Sequence, residues 1–351
     1  MYIEHPHDNR MPANVAHPHH PVIREIQRRR ALMQCGQDPA ALGTKLGLVV
    51  EGGGMRGSLS CGALIALEHL GLSAVFDEVY GESAGAINAC YFLAEQVAFG
   101  GRIYLEDLPS LRFINPLRVN KVLDIDFLVD HVMTHVKPLQ VDKVLQARTQ
   151  LFVSVTNAHD GTARVVDVRH EHLPLLLLLK ASASIIPLYN HVVMLDGTPY
   201  VDGGIADPVP IKAAIRRQCT HVLVVLTRPY GFHARPYRRL TRWVLQHLLR
   251  RWHTQFVAAF LDGRYRLYNE ARRIAFGDTP TGNDVQLAVI CPTASTPKVT
   301  RITIQRQRLQ AAMDDSIRHT LQLFRLAECA QHASASKEGG DNEPPHGTFV
   351  Q

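Results

Sequence analysis

Two glycine-bracketed segments hold residue types that can do chemistry. Gly81-Glu82-Ser83-Ala84-Gly85 is G-x-S-x-G, in which a sharp strand-to-helix turn lifts a serine hydroxyl above a sheet as a nucleophile. Upstream, Gly52-Gly53-Gly54-Met55-Arg56-Gly57 offers bare backbone N–H donors right after an apolar run. That loop fits G-x-G-x-x-G, so a phosphate or an ester oxyanion would suit it equally. For a dinucleotide site the ribose-binding acid is supplied by Asp77 or Glu82. A serine nucleophile needs a base. Asp202, followed by Gly203 and Gly204, can hold a carboxylate at a turn by the sheet's end, although a plain Asp-Gly turn fits as well. His221, heading "HVLVVL", is the base of the alternative Ser-His-Asp arrangement, or simply a strand-end histidine.

The elements that must position these residues read as α/β. "KLGLVV" and "AVFDEVYG" are predicted strands, each followed by a turn and a helix, "SLSCGALIALEHLGL" and "SAGAINACYFLAEQVAFG". "LFVSVTNAHDGTARVVDV" and "VVMLDGTPYVDGG" read as hairpins turning at Asp160-Gly161 and Asp196-Gly197. "HVLVVLTRP" and "VQLAVICP" are late buried strands. The alternation predicts a mostly parallel sheet with helices on both faces. Residues 1–44 read as a basic, His-rich arm around a short helix, 45–228 as the core and 229–330 as a C-terminal part completing the fold. Residues 331–351 have the composition of a disordered tail.

The glycine loop from Glu51 to Gly57, the elbow Gly81 to Gly85, "KASASIIP" at Lys180 to Pro187, and Asp202-Gly203-Gly204 together resemble the patatin-like phospholipase family. The resemblance spans about residues 46–226, in the family's order, with a C-terminal extension beyond. It implies a three-layer α/β/α sandwich and a lipid ester hydrolase with a dyad in place of a triad. Ser83 would be the nucleophile, Asp202 the general base, and the amides of Gly52, Gly53, Gly54, Met55, Arg56 and Gly57 the oxyanion hole. Gly81, Gly85, Gly203 and Gly204 would support the two turns. No metal and no cofactor are implied. Two positions depart from the family pattern: Glu51 replaces the usual Asp, and Glu82 fills a place that is commonly small or neutral.

Composition narrows the alternatives. The six cysteines form no CxxC pair, so neither a zinc site nor a disulfide framework is expected. The N-terminal stretch has no apolar core of a secretory signal, and "LPLLLLLKASASIIPL" is too short to span a bilayer; a cytoplasmic protein, peripheral at the inner membrane surface, is the expectation. The net charge of +6 is uneven, with nine arginines, Lys212 and no acidic residue between Pro208 and Leu261. Within this window "YRRLTRWVLQHLLRRWHTQF" lays Leu240, Val244, Leu248, Trp252 and Phe256 on one helical face, and Arg239, Arg242 and Arg250 on the other. Such a helix suits an anionic membrane interface, or packs on the core as an ordinary surface helix. A nucleotide-binding module using Gly52, Gly54 and Gly57 remains open at this level. Nucleic acid is not an expected partner, because the arginines come with no recognition module.

Overall fold

The computed structural model describes residues 12–281 and 284–338. Helix α1 (Pro21–Gln34) precedes β1 (Leu46–Val50), and α2 (Gly57–His69) leads to β2 (Glu78–Glu82). Then follow α3 (Ala84–Leu93), α4 (Val97–Gly101), α5 (Ile103–Glu106), a π-helical segment Phe127–Val136 and α6 (Val141–Gln146). The hairpin β3 (Gln150–Asn157) and β4 (Ala163–Asp167) comes next, followed by α7 (Leu175–Ala183) and the hairpin β5 (Val193–Leu195) and β6 (Thr198–Asp202). After α8 (Ile211–Arg216) and β7 (His221–Val225) come α9 (Arg239–Leu248), α10 (Thr254–Ala258) and α11 (Arg264–Ala275). Strand β8 (Gln286–Ile290) and the long α12 (Arg306–Glu338) end the described chain.

Strands β3, β2, β1, β7 and β8 lie side by side and parallel, and the hairpin partners β4, β5 and β6 add antiparallel pairs. Alternating strand residues serve two cores. Leu48, Val50, Val79 and Val153 pack with α1, α2, α3, α7 and α12 on one face. Val49, Tyr80, Val224 and Val289 meet α8 and α11 on the other. The architecture is therefore three-layered, α/β/α, and the near-continuous apolar strands are those of a sheet covered on both sides.

The register of β3 brings the site together. Its residues 152–154 pair with both β2 and β4, and residues 155–156 with both β4 and β6. Strands β2 and β6 must therefore share one edge of β3, end to end. Glu82 pairs with Ser154 and Asp202 with the next residue, Val155. Two positions 120 residues apart in sequence thus meet at the carboxyl end of the sheet. Strand order also reverses there, with β2 on one side of β1 and β7 on the other, which is where open α/β sheets bind ligands.

Three expectations are revised by the packing. The N-terminal segment read as an arm is docked along much of its described length: Val15 bridges to Val289, and Val22, Ile23 and Ile26 of α1 are buried in the main core. The second helix breaks at Ala94–Gln96, where Glu95 takes a positive φ of 56°, so α3 and α4 are separate. The predicted basic amphipathic helix breaks too. Helix α9 stops at Leu248, so Trp252 and Phe256 leave the face assigned to them, and the core takes Leu245 and Leu249. Leu240 and Trp243 are left 75% and 64% exposed beside Val244 and Leu248. At the other end, α12 continues through Glu338, and the rest of the expected tail lies outside the described residues.

Candidate functional site

Ser83 sits between β2 and α3 with φ 52° and ψ −129°, backbone values that cost a non-glycine residue free energy. What holds it is visible on both sides. The Ser83 N–H donates to Ser182 Oγ (2.8 Å), and that hydroxyl donates to Ser154 O (2.8 Å). Close packing beneath requires glycine: a Cβ on Gly85 would run into the Val50 carbonyl. The same Ala-Ser segment grips the second residue, since the Asp202 N–H donates to Ser184 O (3.1 Å). "KASASIIP" thus positions both halves of the site.

Asp202 is buried; its Oδ1 accepts the Gly204 N–H (2.8 Å), while Oδ2 has no hydrogen-bond partner among the described residues. Burial pushes its carboxyl above the ordinary range, opposed by the Arg264 guanidinium, the neighbouring Ser83 hydroxyl and the Gly204 amide. Glu82 is pushed much higher, first by burial and then by the Asp202 charge, and one N–H, from Gly52 (2.8 Å), does not compensate. Buried side by side, the two carboxyls are both pushed toward the neutral form, and a single negative charge between them is favoured over two. A raised folded-state pKa has a definite sign. The stabilisation is complete below the ordinary glutamate value and is lost as pH rises from there toward the folded value, at up to ~1.4 kcal/mol per pH unit. Glu82→Gln should accordingly gain stability over the parent as pH rises from about 4.5 to 8. Urea midpoints that stay parallel across that range would rule this out.

The glycine loop is more committed than its sequence implies. The Gly52 N–H goes to Glu82, Met55 to Arg301 O (3.1 Å), Arg56 to Gly53 O (3.3 Å) and Gly57 back into the turn. Gly53 and Gly54 keep N–H groups with no partner among the described residues, and both take positive φ, 127° and 60°. Glu51 is a strut. Its carboxylate accepts from the Thr227 N–H (2.6 Å) and Tyr268 Oη (2.9 Å) and lies 3.9 Å from Arg56, whose guanidinium packs over Gly53.

Two cavities meet at Ser83. One, of about 230 Å³, is lined by Glu82, Asp202 and five arginines, Arg56, Arg228, Arg235, Arg264 and Arg301. The other, of about 30 Å³, is apolar, walled by Ile87, Ile103, Phe113, Leu123, Ile125 and Leu128. Arg264, Tyr268 and Arg301 come from a region without any recognisable motif; only their clustering in space marks them. His221 is not in the site, because it begins β7, opposite Leu46, at the amino end of the parallel strands. There it faces Glu25 and Arg29, so the Ser-His-Asp alternative loses its histidine. Nor does the loop suit a dinucleotide. Asp77 is held at the amino end of β2 by Arg29 and the Leu46 N–H, and Glu82 is buried against Gly52. No group of metal-ligating side chains occurs among the described residues.

A strained serine on a strand-to-helix turn thus stands beside a buried carboxylate at the carboxyl end of a three-layer α/β/α sandwich. Residues 48–215, a little under half of the chain, match the model described as patatin-like phospholipase. Escherichia coli K12 YjjU, described as an uncharacterized protein, is 30% identical over 210 residues, 57% of this chain and 57% of its own. The chain thus spans little more than half of that relative. Among solved structures, VipD from Legionella pneumophila is 13% identical with a TM-score of 0.43, covering 81% of this chain and 67% of its own. The type III effector protein ExoU is 12% identical with a TM-score of 0.37, covering 81% and 53%. Both structural likenesses are loose, and the fold rests on the topology described above.

Proposed function

We propose that this protein is a serine acyl hydrolase that cleaves lipid carboxylic esters, of the phospholipase A or lysophospholipase type. The observation that carries the reading is the placement of Ser83. Its hydroxyl stands where an apolar cavity and an arginine-lined one meet, beside a buried carboxylate with an unpartnered oxygen. An amphiphilic ester fits that junction, acyl chain to one side and polar alcohol to the other. The match of residues 48–215 to the patatin-like phospholipase model supports it.

In this mechanism Ser83 Oγ attacks the ester carbonyl while Asp202 Oδ2 accepts its proton. The oxyanion is received by the N–H groups of Gly53 and Gly54, with Ala84 at the positive end of α3. Collapse expels the alkoxide, which takes the proton from Asp202. Water, deprotonated by Asp202, then attacks the acyl-enzyme and restores Ser83. The test is covalent labelling with a fluorophosphonate, mapped by mass spectrometry. Modification of Ser83 is expected, and a protein that turns over p-nitrophenyl esters without labelling there would overturn the assignment.

The same reading includes contact with an anionic membrane. The outward face of α9, Leu240, Trp243, Val244 and Leu248, has Arg239 and Arg250 beside it; Arg242 is engaged with Asp262 (2.5 and 2.9 Å). Tyr237 and Leu261, next to this helix, line the arginine-rich cavity, so docking α9 would bring that cavity near the lipid. In liposome flotation Trp243→Ser with Leu248→Ser should lower binding to anionic vesicles by about tenfold, from lost apolar burial. Binding at the parent level would remove α9 from the proposal.

A further inference from the structure

The arginine-lined cavity holds more positive charge than its own carboxylates neutralise. Of the three acids in its wall, Glu51 is occupied by Thr227, Tyr268 and Arg56, while Glu82 and Asp202, buried side by side, are both pushed toward the neutral form. Among the described residues, no carboxylate lies within 4.0 Å of Arg228, Arg264 or Arg301. Arg228 rests on the Phe232 ring (4.4 Å), and Arg264 Nε donates to Gly204 O (3.2 Å). Arg301 Nε is buried with no hydrogen-bond partner among the described residues. Crowding disfavours the charged form: Arg264, together with burial and Arg56, pulls the Arg301 guanidinium down to about 9.

An arrangement of half-buried, mutually repelling guanidinium groups without carboxylate partners is unfavourable unless an anion completes it. Its chemistry points to phosphate over carboxylate, because three forks approaching from different elements match an anion with three or four acceptor oxygens. Arg228 follows β7, Arg264 opens α11, and Arg301 lies in the loop before α12. All three fall outside the family-matched residues 48–215, so this chain's C-terminal part adds them. They stand on the side of Ser83 away from the apolar cavity, where the alcohol of an ester would lie.

We infer that Arg228, Arg264 and Arg301 form a phosphate-binding subsite, which selects acyl esters whose alcohol carries a phosphate group. The substrate half of this inference rests on the hydrolase reading; the anion half does not. Neither Arg228 nor Arg301 spends its side chain on a structural hydrogen bond other than Arg228's ring contact, so Arg→Gln is the suitable change at both.

The experiment uses the full chain and a matched pair of substrates, lysophosphatidic acid and the monoacylglycerol of the same acyl length, with p-nitrophenyl butyrate as an ester without a head group. The parent protein is expected to prefer the phosphate-bearing ester by about 10- to 100-fold in kcat/KM, the scale of charge-assisted hydrogen bonds. Inorganic phosphate should inhibit p-nitrophenyl butyrate hydrolysis competitively and raise the melting temperature. In the Arg228→Gln, Arg301→Gln protein the preference should fall to about twofold and phosphate inhibition should weaken about tenfold. An equal loss on all three esters would mean the arginines serve the dyad and would overturn the subsite. Phosphate binding without discrimination between the matched esters would overturn the substrate half and leave a site for free anion. If no ester turns over, a phosphate-induced melting shift in the parent but not the variant still upholds the anion site, while the hydrolase reading fails. Absence of that shift, with esterase activity intact, overturns the anion site alone. The comparisons on the parent protein decide the matter even if the double variant folds poorly.

Discussion

Ser83→Ala is expected to remove ester hydrolysis by about 10⁶-fold, to the level left by binding and oxyanion stabilisation alone. Asp202→Asn should remove about 10²–10⁴-fold, the usual contribution of a positioned base. Both should fold. Alanine accepts the same turn as serine at similar cost, and the Ser182 and Ser154 contacts involve the backbone at position 83. Asparagine keeps an oxygen for the Gly204 N–H and removes the charge that Glu82 faces at close quarters. Kinetics on a soluble p-nitrophenyl ester, with melting curves alongside, separate chemistry from stability. His221→Ala supplies the contrast, because His221 lies at the far end of the sheet and should leave kcat/KM within about twofold. Full turnover in Asp202→Asn, or a large loss in His221→Ala, would replace the dyad with another base.

What could be read in the sequence was chemistry confined to short contiguous segments. A nucleophile turn needs small residues at fixed offsets, and an oxyanion loop needs glycines, so Ser83 and Gly52–Gly54 are marked by their neighbours. Asp202 was marked by Gly203 and Gly204 after a predicted strand. The strands and both hairpins were legible for the same reason, since turn residues and apolar runs are local. Arg264, Tyr268 and Arg301 were not legible, because an arginine at a helix start or in a loop looks the same whether it faces solvent or a nucleophile. Only the packing of α11 and the segment before α12 against β1 and its glycine loop gives them a role. Glu82 was visible as an unusual residue, but the upward push on its carboxyl depends on burial beside Asp202, which comes from the shared edge of β3. The α9 face was misassigned because two leucine stripes lie about 100° apart on the helix, and apolarity alone does not say which one the core takes. Leu245 and Leu249 won that place, beside Phe256 and Phe260.

Arg29→Met is expected to cost about 3–5 kcal/mol of stability, as when one member of a buried ion pair is removed. Arg29 is fully buried in α1, within the stretch whose basic composition resembles a solvated arm. Every branch of its guanidinium is used. Nε donates to Glu25 Oε1 (3.0 Å), Nη1 to Asp77 Oδ2 (2.6 Å) and Val75 O (3.2 Å), and Nη2 to Thr44 O (2.5 Å). The side chain ties α1 to the segments entering β1 and β2, and methionine would leave two carboxylates facing each other there. Arg29→Lys restores the charge without the fork, so it should recover only part of the loss. The pH dependence is specific. Burial alone would raise the Glu25 carboxyl, but the Thr44 hydroxyl and Arg29 hold it below its ordinary value. Stability from that lowering is present above the unfolded glutamate value and is lost as pH falls toward the folded one. The gap between parent and Arg29→Met should therefore be wide at pH 7 and narrow as pH falls below the ordinary glutamate value and Glu25 takes up a proton. Activity per folded molecule should hardly change in the cold, since the network lies at the end of the sheet opposite Ser83. An Arg29→Met protein as stable as the parent at pH 7 would show that α1 is held by its apolar face alone.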